Sequence, residues 1–325
     1  TITASSNSPI CAGSDLNLTS SPASATTYAW AGPNSFTSSV QNPTITAATT
    51  AAAGTYTVTV TSAATPTTGC TATTTVVVNT PITAPTLSGA TYCVGATATA
   101  LDATTTGATA YLWSDGSATA SITPSTATAG TTTYTVTVSA PTGCTAVTAS
   151  AAIVVNAPIT APTLSGTSYC VGATATALDA TTTGATAYLW SESSTTASIT
   201  PSTATAGTTT YTVTVSAPTG CTAVTASATI VVNANPSIVS ITNTPTGCSS
   251  PSGTATVSVS GGTSPYTYLW SNSQTTAIAN ALGVATYTVT VSDSNTCSTT
   301  GTTTIAAAGA PIATATPSPA SLTIC

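Results

Sequence analysis

Apolar and polar side chains alternate strictly through Tyr134-Thr135-Val136-Thr137-Val138, so Tyr134, Val136 and Val138 share one face and the threonines the other. A period of two describes a half-buried β-strand, because successive side chains of an extended chain point to opposite sides. The same alternation returns at Tyr56-Val58-Val60, Tyr211-Val213-Val215 and Tyr287-Val289-Val291. A Gly-Cys or Asn-Thr-Cys turn follows, and then a second Thr/Val segment such as Thr74-Thr75-Val76-Val77-Val78. Each pair predicts a hairpin of the last two strands of a unit. Upstream, Tyr111-Leu112-Trp113 predicts a central strand with the tryptophan as its core anchor, and Trp30, Trp190 and Trp270 occupy the matching places. Their strand position and Leu neighbours favour core packing over exposed sugar-stacking platforms. Tyr28, Tyr111, Tyr188, Tyr266 and Tyr268 beside them are expected to be partly exposed.

The pattern is repetitive. Residues 80–156 and 157–233 are near copies, with Cys93 matching Cys170, Trp113 matching Trp190, Tyr134 matching Tyr211 and Cys144 matching Cys221. Residues 1–79 follow the plan with Cys11, Trp30, Tyr56 and Cys70, and residues 234–308 with Cys248, Trp270, Tyr287 and Cys297. Ser321-Leu322-Thr323-Ile324-Cys325 echoes Ser8-Pro9-Ile10-Cys11, so residues 309–325 are expected to open a fifth, truncated unit. Short strands with turn signals about every 8–12 residues favour a sandwich. The predicted fold is therefore all-β, a tandem array of small immunoglobulin-like β-sandwich domains at 1–79, 80–156, 157–233 and 234–308.

Composition narrows the chemistry. The chain has no Lys, Arg, His or Met and only six acidic residues among 325. Imidazole acid–base chemistry, lysine Schiff bases and guanidinium clamps are thereby excluded. Binding to nucleic acid and to anionic lipid both require cations, and neither is expected. Many Thr and Val residues and four Trp argue against disorder. Alanine is plentiful, but Thr, Val, Gly and Pro outweigh it over every helix-length window, and no helix is predicted. No apolar run reaches the roughly 18 residues of a membrane span. Thr1-Ile2-Thr3-Ala4 has neither an initiator Met nor a basic n-region, so it is not read as a signal peptide.

Nine cysteines remain to be assigned. A unit of about 75 residues builds a modest core. A disulfide closing a loop of about 50 residues would add roughly 4 kcal/mol on the chain-entropy model. The expected pairs are thus Cys11–Cys70, Cys93–Cys144, Cys170–Cys221 and Cys248–Cys297, with Cys325 pairing beyond the fragment. These pairs share a pole only if the chain crosses the sandwich an odd number of times between them. An even number would place them too far apart to bond. The alternative pairs Cys70 with Cys93, and so on across each junction. Disulfides imply an oxidising, extracellular setting. Neither a Cys-x-x-Cys pair nor a His is present to suggest zinc.

Gly261-Gly262-Thr263-Ser264-Pro265-Tyr266-Thr267-Tyr268-Leu269-Trp270-Ser271, continued by Ala285–Asp293 and Cys297, resembles the SprB-type repeat of gliding-motility adhesins. Cys11-Ala12-Gly13 with Leu16-Asn17-Leu18, and Thr133–Val136 followed by Gly143-Cys144, resemble the Ig-like modules of giant surface proteins exported by the type IX secretion system. The resemblance implies a long modular adhesin or filament outside the cell. The chain departs from that group in having no basic residue, and it shows no type IX sorting domain.

The remaining candidates are few. Asp102 and Asp179 are repeat equivalents, as are Asp115 and Glu192, and they read as turn and strand-end residues. They do not form the facing carboxylate pair that a glycosidase needs. Asp293-Ser294-Asn295 gathers oxygens in a loop, short of the several carboxylates calcium prefers. Rows such as Thr133-Thr135-Thr137 match the spacing of ice-binding surfaces, but twisted sheets do not offer the flat array these need. Asn17-Leu18-Thr19 is the one glycosylation sequon free of proline. No catalytic, metal or cofactor site is expected. The linkers Asn79–Pro85, Asn156–Pro162 and Asn233–Pro236 carry prolines, predicting a semi-rigid rod whose staples limit extension under load. The expected role is a structural or adhesive extracellular fibre at the cell surface that self-associates into a filament and binds surface polysaccharide. The alternative is a spacer or carbohydrate-binding region of a large secreted hydrolase.

Overall fold

A computed structural model of the chain describes residues 1–25, 27–62, 65–247 and 251–308. Every regular element among them is a β-strand except the single 3-10 turn Thr50–Ala52. The chain forms two compact units, one of Thr1–Pro158 with Pro218–Thr222, the other of Ile159–Ala217 with Ala223–Cys325.

In the first unit, residues 1–79 build a sandwich. One sheet runs Phe36–Ser38, Thr27–Gly32, Gly54–Ser62, Thr65–Val76, with every pair antiparallel. The other runs Thr3–Ser6, Leu16–Ser21, Thr44–Ile45. The alternating residues Leu16, Leu18, Trp30, Tyr56, Val58 and Val60 form the core between them. Tyr56 is fully buried, donates its hydroxyl to the Ala52 carbonyl at 2.9 Å, and meets Phe36 edge to face with ring centroids 5.6 Å apart.

Residues 80–156, in the same unit, build a second core. Here the larger sheet runs Ala90–Cys93, Val147–Asn156, Gly130–Ser139, Ala110–Trp113. Its first pair is parallel and the other two are antiparallel. A small sheet of Leu101–Asp102 and Ser121–Ile122 covers it. Trp113, Val136, Val138 and Ile153 from one sheet meet Leu101 and Ile122 from the other, with Ala103 beside them.

The second unit repeats this arrangement. Thr167–Cys170, Val224–Asn233, Gly207–Ser216 and Ala187–Trp190 form the large sheet, with Leu178–Asp179 and Ser198–Ile199 facing it. Its core again centres on Trp190, Val213, Val215 and Ile230. The following repeat pairs Thr267–Trp270, Ala285–Ser292 and Ser298–Ile305 in one sheet. Pro236–Thr244, Gly253–Gly261 and Ile278–Leu282 form the other, around Trp270, Leu282, Val289 and Ile305.

The Leu neighbours of the tryptophans do not join them inside. Leu112, Leu189 and Leu269 are exposed while Trp113, Trp190 and Trp270 are buried. Adjacent residues of a strand face opposite ways, so burying the tryptophan turns the preceding leucine outward.

Candidate functional site: the disulfide staples

The first cysteine of each of the first three repeats lies on a short strand that pairs in parallel with the end of that repeat's last strand. Cys11 sits opposite Asn79, Cys93 opposite Asn156 and Cys170 opposite Asn233. In the second and third repeats the second cysteine lies in a turn just before that last strand begins. Cys144 closes the turn Pro141–Cys144 with its N–H donating to the Pro141 carbonyl at 2.9 Å, and Val147 then opens the strand. Cys221 does the same with Pro218 at 2.9 Å.

This arrangement overturns the expected pairs. The ten-residue strand Val147–Asn156 separates Cys144 from Asn156, the partner of Cys93, about 30 Å at a strand's rise of ~3.3 Å per residue. A disulfide needs Cα atoms within roughly 4.4–6.8 Å. Cys93–Cys144 cannot form, nor can its copy Cys170–Cys221. Cys70 pairs with Val60 in the strand Thr65–Val76, nine residues before the Asn79 that faces Cys11. Cys11–Cys70 is therefore excluded too. The even-crossing geometry is the one the chain adopts, and it sends the two cysteines of a repeat to opposite poles.

The bonds run instead from the first cysteine of one repeat to the second cysteine of the next. Cys11–Cys144 has Cα atoms 4.8 Å apart, Cys93–Cys221 4.8 Å and Cys170–Cys297 5.4 Å. The Cys170–Cys297 bond also displaces the expected Cys248–Cys297 pair. The alternative Cys70–Cys93 pairing fails as well, since Cys93 is taken and Cys70 is an exposed free thiol. Cys248 and Cys325 lie outside the described residues, and with them the expected opening of a fifth unit. Cys221 belongs to the segment Pro218–Thr222, so two of the staples close within the first unit and one within the second.

Local sequence makes the close approach possible. Gly143 precedes Cys144 with φ +89°, and a Cβ there would come within 2.8 Å of the Ile10 Cα. Gly220 precedes Cys221 with φ +85°, and its Cβ would come 2.9 Å from the Tyr92 carbonyl carbon. Only glycine combines a left-handed backbone with that absence of volume. The asparagine that ends the last strand of each of the first two repeats adds a polar clasp. Asn79 Nδ2 donates to the Thr142 carbonyl at 2.9 Å and Asn156 Nδ2 to the Thr219 carbonyl at 2.8 Å. Sequence reasoning missed these asparagines as partners of the staple, although their place just before each Pro-bearing linker is visible in the sequence. Beside the third staple the pattern changes. Thr296 takes positive φ (65°) before Cys297, and Asn235 Nδ2 reaches the Val171 carbonyl at 3.1 Å.

The other candidates have structural duties. Trp30, Trp113, Trp190 and Trp270 are buried to 2% exposure or less. Each Nε1 donates to a carbonyl, of Gln41, Thr119, Thr196 and Thr276 respectively, at 2.8–3.1 Å. No indole face is open to stack on a sugar. Tyr28, Tyr111, Tyr188, Tyr266 and Tyr268 are half-buried.

The carboxylates organise turns. The Asp102 carboxylate accepts both the N–H and the hydroxyl of Thr104, and Asp179 those of Thr181; these bonds hold both carboxyls below the ordinary value. Asp115 accepts the Ser117 N–H at 2.9 Å. Glu192 sits on an exposed turn. Asp293 is buried, and its two oxygens accept the N–H groups of Thr263, Asn295 and Cys297 at 2.9–3.0 Å. Its loop uses the carboxylate to satisfy backbone donors. Among the described residues no three groups of the His, Cys, Asp or Glu kind converge to hold a metal.

These features define a class: tandem immunoglobulin-like β-sandwiches with a covalent link from each repeat to the next. Comparison with protein families adds a more particular finding, since residues 240–275 match the SprB repeat. SprB repeats are found in cell-surface proteins. A comparison with curated proteins gives no match. Similar solved structures are tandem Ig arrays. The N-terminal eight Ig domains of Down Syndrome Cell Adhesion Molecule align over 94% of this chain at 12% identity and TM-score 0.37, and the chain covers 54% of that structure. Titin domains I67–I69, in an E-to-A variant, align over 70% of this chain and 99% of theirs at 12% identity and TM-score 0.46. Sidekick-1 immunoglobulin domains 1–5 align over 92% of this chain and 78% of theirs at 13% identity and TM-score 0.37. No helix among the described residues is long and apolar enough to cross a membrane.

Proposed function

We propose that the chain is a structural and adhesive segment of an extracellular surface fibre, a semi-rigid rod of four stapled domains at 1–79, 80–156, 157–233 and 234–308. The observation that carries this reading is the set of three disulfides that each join one repeat to the next. An isolated domain gains nothing from such bonds, whereas an array that must stay assembled under load does. Disulfides of this kind persist in oxidising, extracellular settings. The SprB match at 240–275 supports the same location, and the Pro-bearing linkers favour stiff joints. Ig-like repeats and SprB repeats are typical of non-catalytic structural or adhesion modules, which supports this reading.

Self-association into a filament is part of the proposal. A net charge of −6 over 325 residues leaves little repulsion between copies. The exposed Leu112, Leu189 and Leu269 place an apolar side chain at equivalent positions of successive repeats. Surface polysaccharide is the second partner class. Equivalent hollows beside Leu87, Tyr92 and Asp102 and beside Leu164, Tyr169 and Asp179 are where it would bind.

Sedimentation velocity and negative-stain imaging of the oxidised chain across a concentration series test the assembly. Elongated, concentration-dependent polymers are expected, and a monomer at every concentration overturns filament formation. A polysaccharide array probed with the same material tests the second partner, with loss of binding expected in the Tyr92→Ala, Tyr169→Ala double variant. A catalytic domain encoded directly beside this stretch would favour the hydrolase-spacer reading instead.

A further inference from the structure

We propose that the three staples form an interleaved ladder that carries tension past the folded repeats, so that most of the chain is mechanically bypassed. The inference stands on covalent connectivity alone and holds whether or not the chain assembles into filaments. The loops closed by the bonds overlap in sequence: 11–144, 93–221 and 170–297. Tension applied at the two ends follows the shortest covalent route. That route runs from Thr1 to Cys11, across to Cys144, along the chain to Cys170, across to Cys297 and on to Cys325. It contains ten, 26 and 28 residue steps, 64 in all, out of 324. Residues 12–143 and 171–296 lie off it.

Part of the middle of the route is already extended. Of the steps between Cys144 and Cys170, the strands Val147–Asn156 and Thr167–Cys170 supply ten and four residues that are already extended in the folded state. A strand rises ~3.3 Å per residue, close to the chain's limit of about 3.6 Å. Ala90–Cys93 and Gly130–Ser139 are hydrogen-bonded to Val147–Asn156 on its two sides, yet they bear no tension, because they lie off the route.

The arrangement differs in kind from four domains each closed by its own bond. With within-repeat pairs the route would run through every linker, 10, 23, 26, 27 and 28 steps or 114 in all. Fully stretched, the ladder reaches about 230 Å, separate staples about 410 Å and an unlinked chain about 1,170 Å, at ~3.6 Å per residue. The ladder also makes its rungs unequal. The Cys93–Cys221 bond lies off the shortest route, so removing it leaves the end-to-end limit at 64 steps. Removing Cys11–Cys144 redirects tension through Cys93, Cys221 and Cys170, with 92, 51 and 28 steps or 171 in all.

Single-molecule stretching of the full chain, held by handles at both termini, tests this. The oxidised chain is expected to stop at about 230 Å, the Cys93→Ser, Cys221→Ser variant at the same limit, and the Cys11→Ser, Cys144→Ser variant about 2.7-fold further out. Dithiothreitol should release all three to the unlinked length. Each variant is stretched after non-reducing peptide mapping has shown that its two remaining bonds are the native ones, so the limit reads connectivity directly. An oxidised limit near 410 Å overturns the ladder in favour of within-repeat staples. So does a longer limit in the Cys93→Ser, Cys221→Ser variant, and so does a reduced chain that stays short.

Discussion

Gly143 and Gly116 offer a matched pair for testing whether the staple depends on close backbone contact. Both have the same backbone twist, φ +89° and +87°, and both belong to the 80–156 repeat. A Cβ at Gly116 meets nothing within 4 Å, whereas at Gly143 it would come 2.8 Å from both the Pro9 carbonyl carbon and the Ile10 Cα. Gly116→Ala therefore reports the conformational cost alone, about 1–2 kcal/mol for an L-residue in the left-handed region. Gly143→Ala adds a backbone overlap that only a shift of the hairpin turn can relieve. The next residue is Cys144, whose Cα must stay 4.8 Å from that of Cys11. The turn cannot both withdraw and remain bonded. Losing a disulfide in a small domain costs about 2–5 kcal/mol, so the total for Gly143→Ala is expected to be about 3 kcal/mol or more. Peptide mapping under non-reducing conditions, with thiol counting, reads the bond directly, and denaturant unfolding reads the stability. Gly116→Ala should keep Cys11–Cys144 intact and Gly143→Ala should show free thiol at both positions. Equal stability losses with the bond formed in full in both variants would refute the close-approach argument.

Three further outcomes follow from the same structure. Trp190→Ala, which empties the core of the 157–233 repeat, should cost about 3–5 kcal/mol by thermal or denaturant unfolding, whereas Leu189→Ala, one residue away but exposed, should cost little. Asp293→Ala leaves the N–H groups of Thr263, Asn295 and Cys297 without their acceptor; the Cys297 N–H, whose bond is buried, becomes an orphan worth about 1–3 kcal/mol, so the loss should exceed that of Asp115→Ala, with faster amide exchange at those three positions. The Asp102 and Asp179 carboxyls titrate lower in the folded chain than in the unfolded one because Thr104 and Thr181 donate to the ionised form. Their contribution is thus present above the ordinary carboxylate range and lost as pH falls through the folded value. Melting temperature against pH should fall less steeply on the acid side in the Asp102→Asn, Asp179→Asn double variant; an unchanged acid limb would show that the two turns do not couple to folding.

The division between what could be read and what could not follows the range of the interactions. Strand identity, the facing of Tyr134, Val136 and Val138, and the burial of the four tryptophans depend on near neighbours, because period-two alternation and bulk are local properties of the chain. The exposed face of Leu112 was equally local, and following the alternation one residue back from Trp113 would have found it. The turns held by Asp102 and Asp179 lie within two residues of their partners and were legible as strand-end polar residues. The buried carboxylate of Asp293 was not, since Thr263, thirty residues away, supplies part of its environment.

By itself the sequence determined an all-β array, its repeat unit, its charge-poor surface and the fact that its cysteines recur in two places per repeat. Which cysteine bonds which was left to the tertiary structure. The deciding event is the parallel docking of Ala90–Cys93 against the end of Val147–Asn156, a contact spanning more than sixty residues. That contact sends the two cysteines of a repeat to opposite ends of one strand, and a bond only a few ångströms long can then form only with the neighbouring repeat.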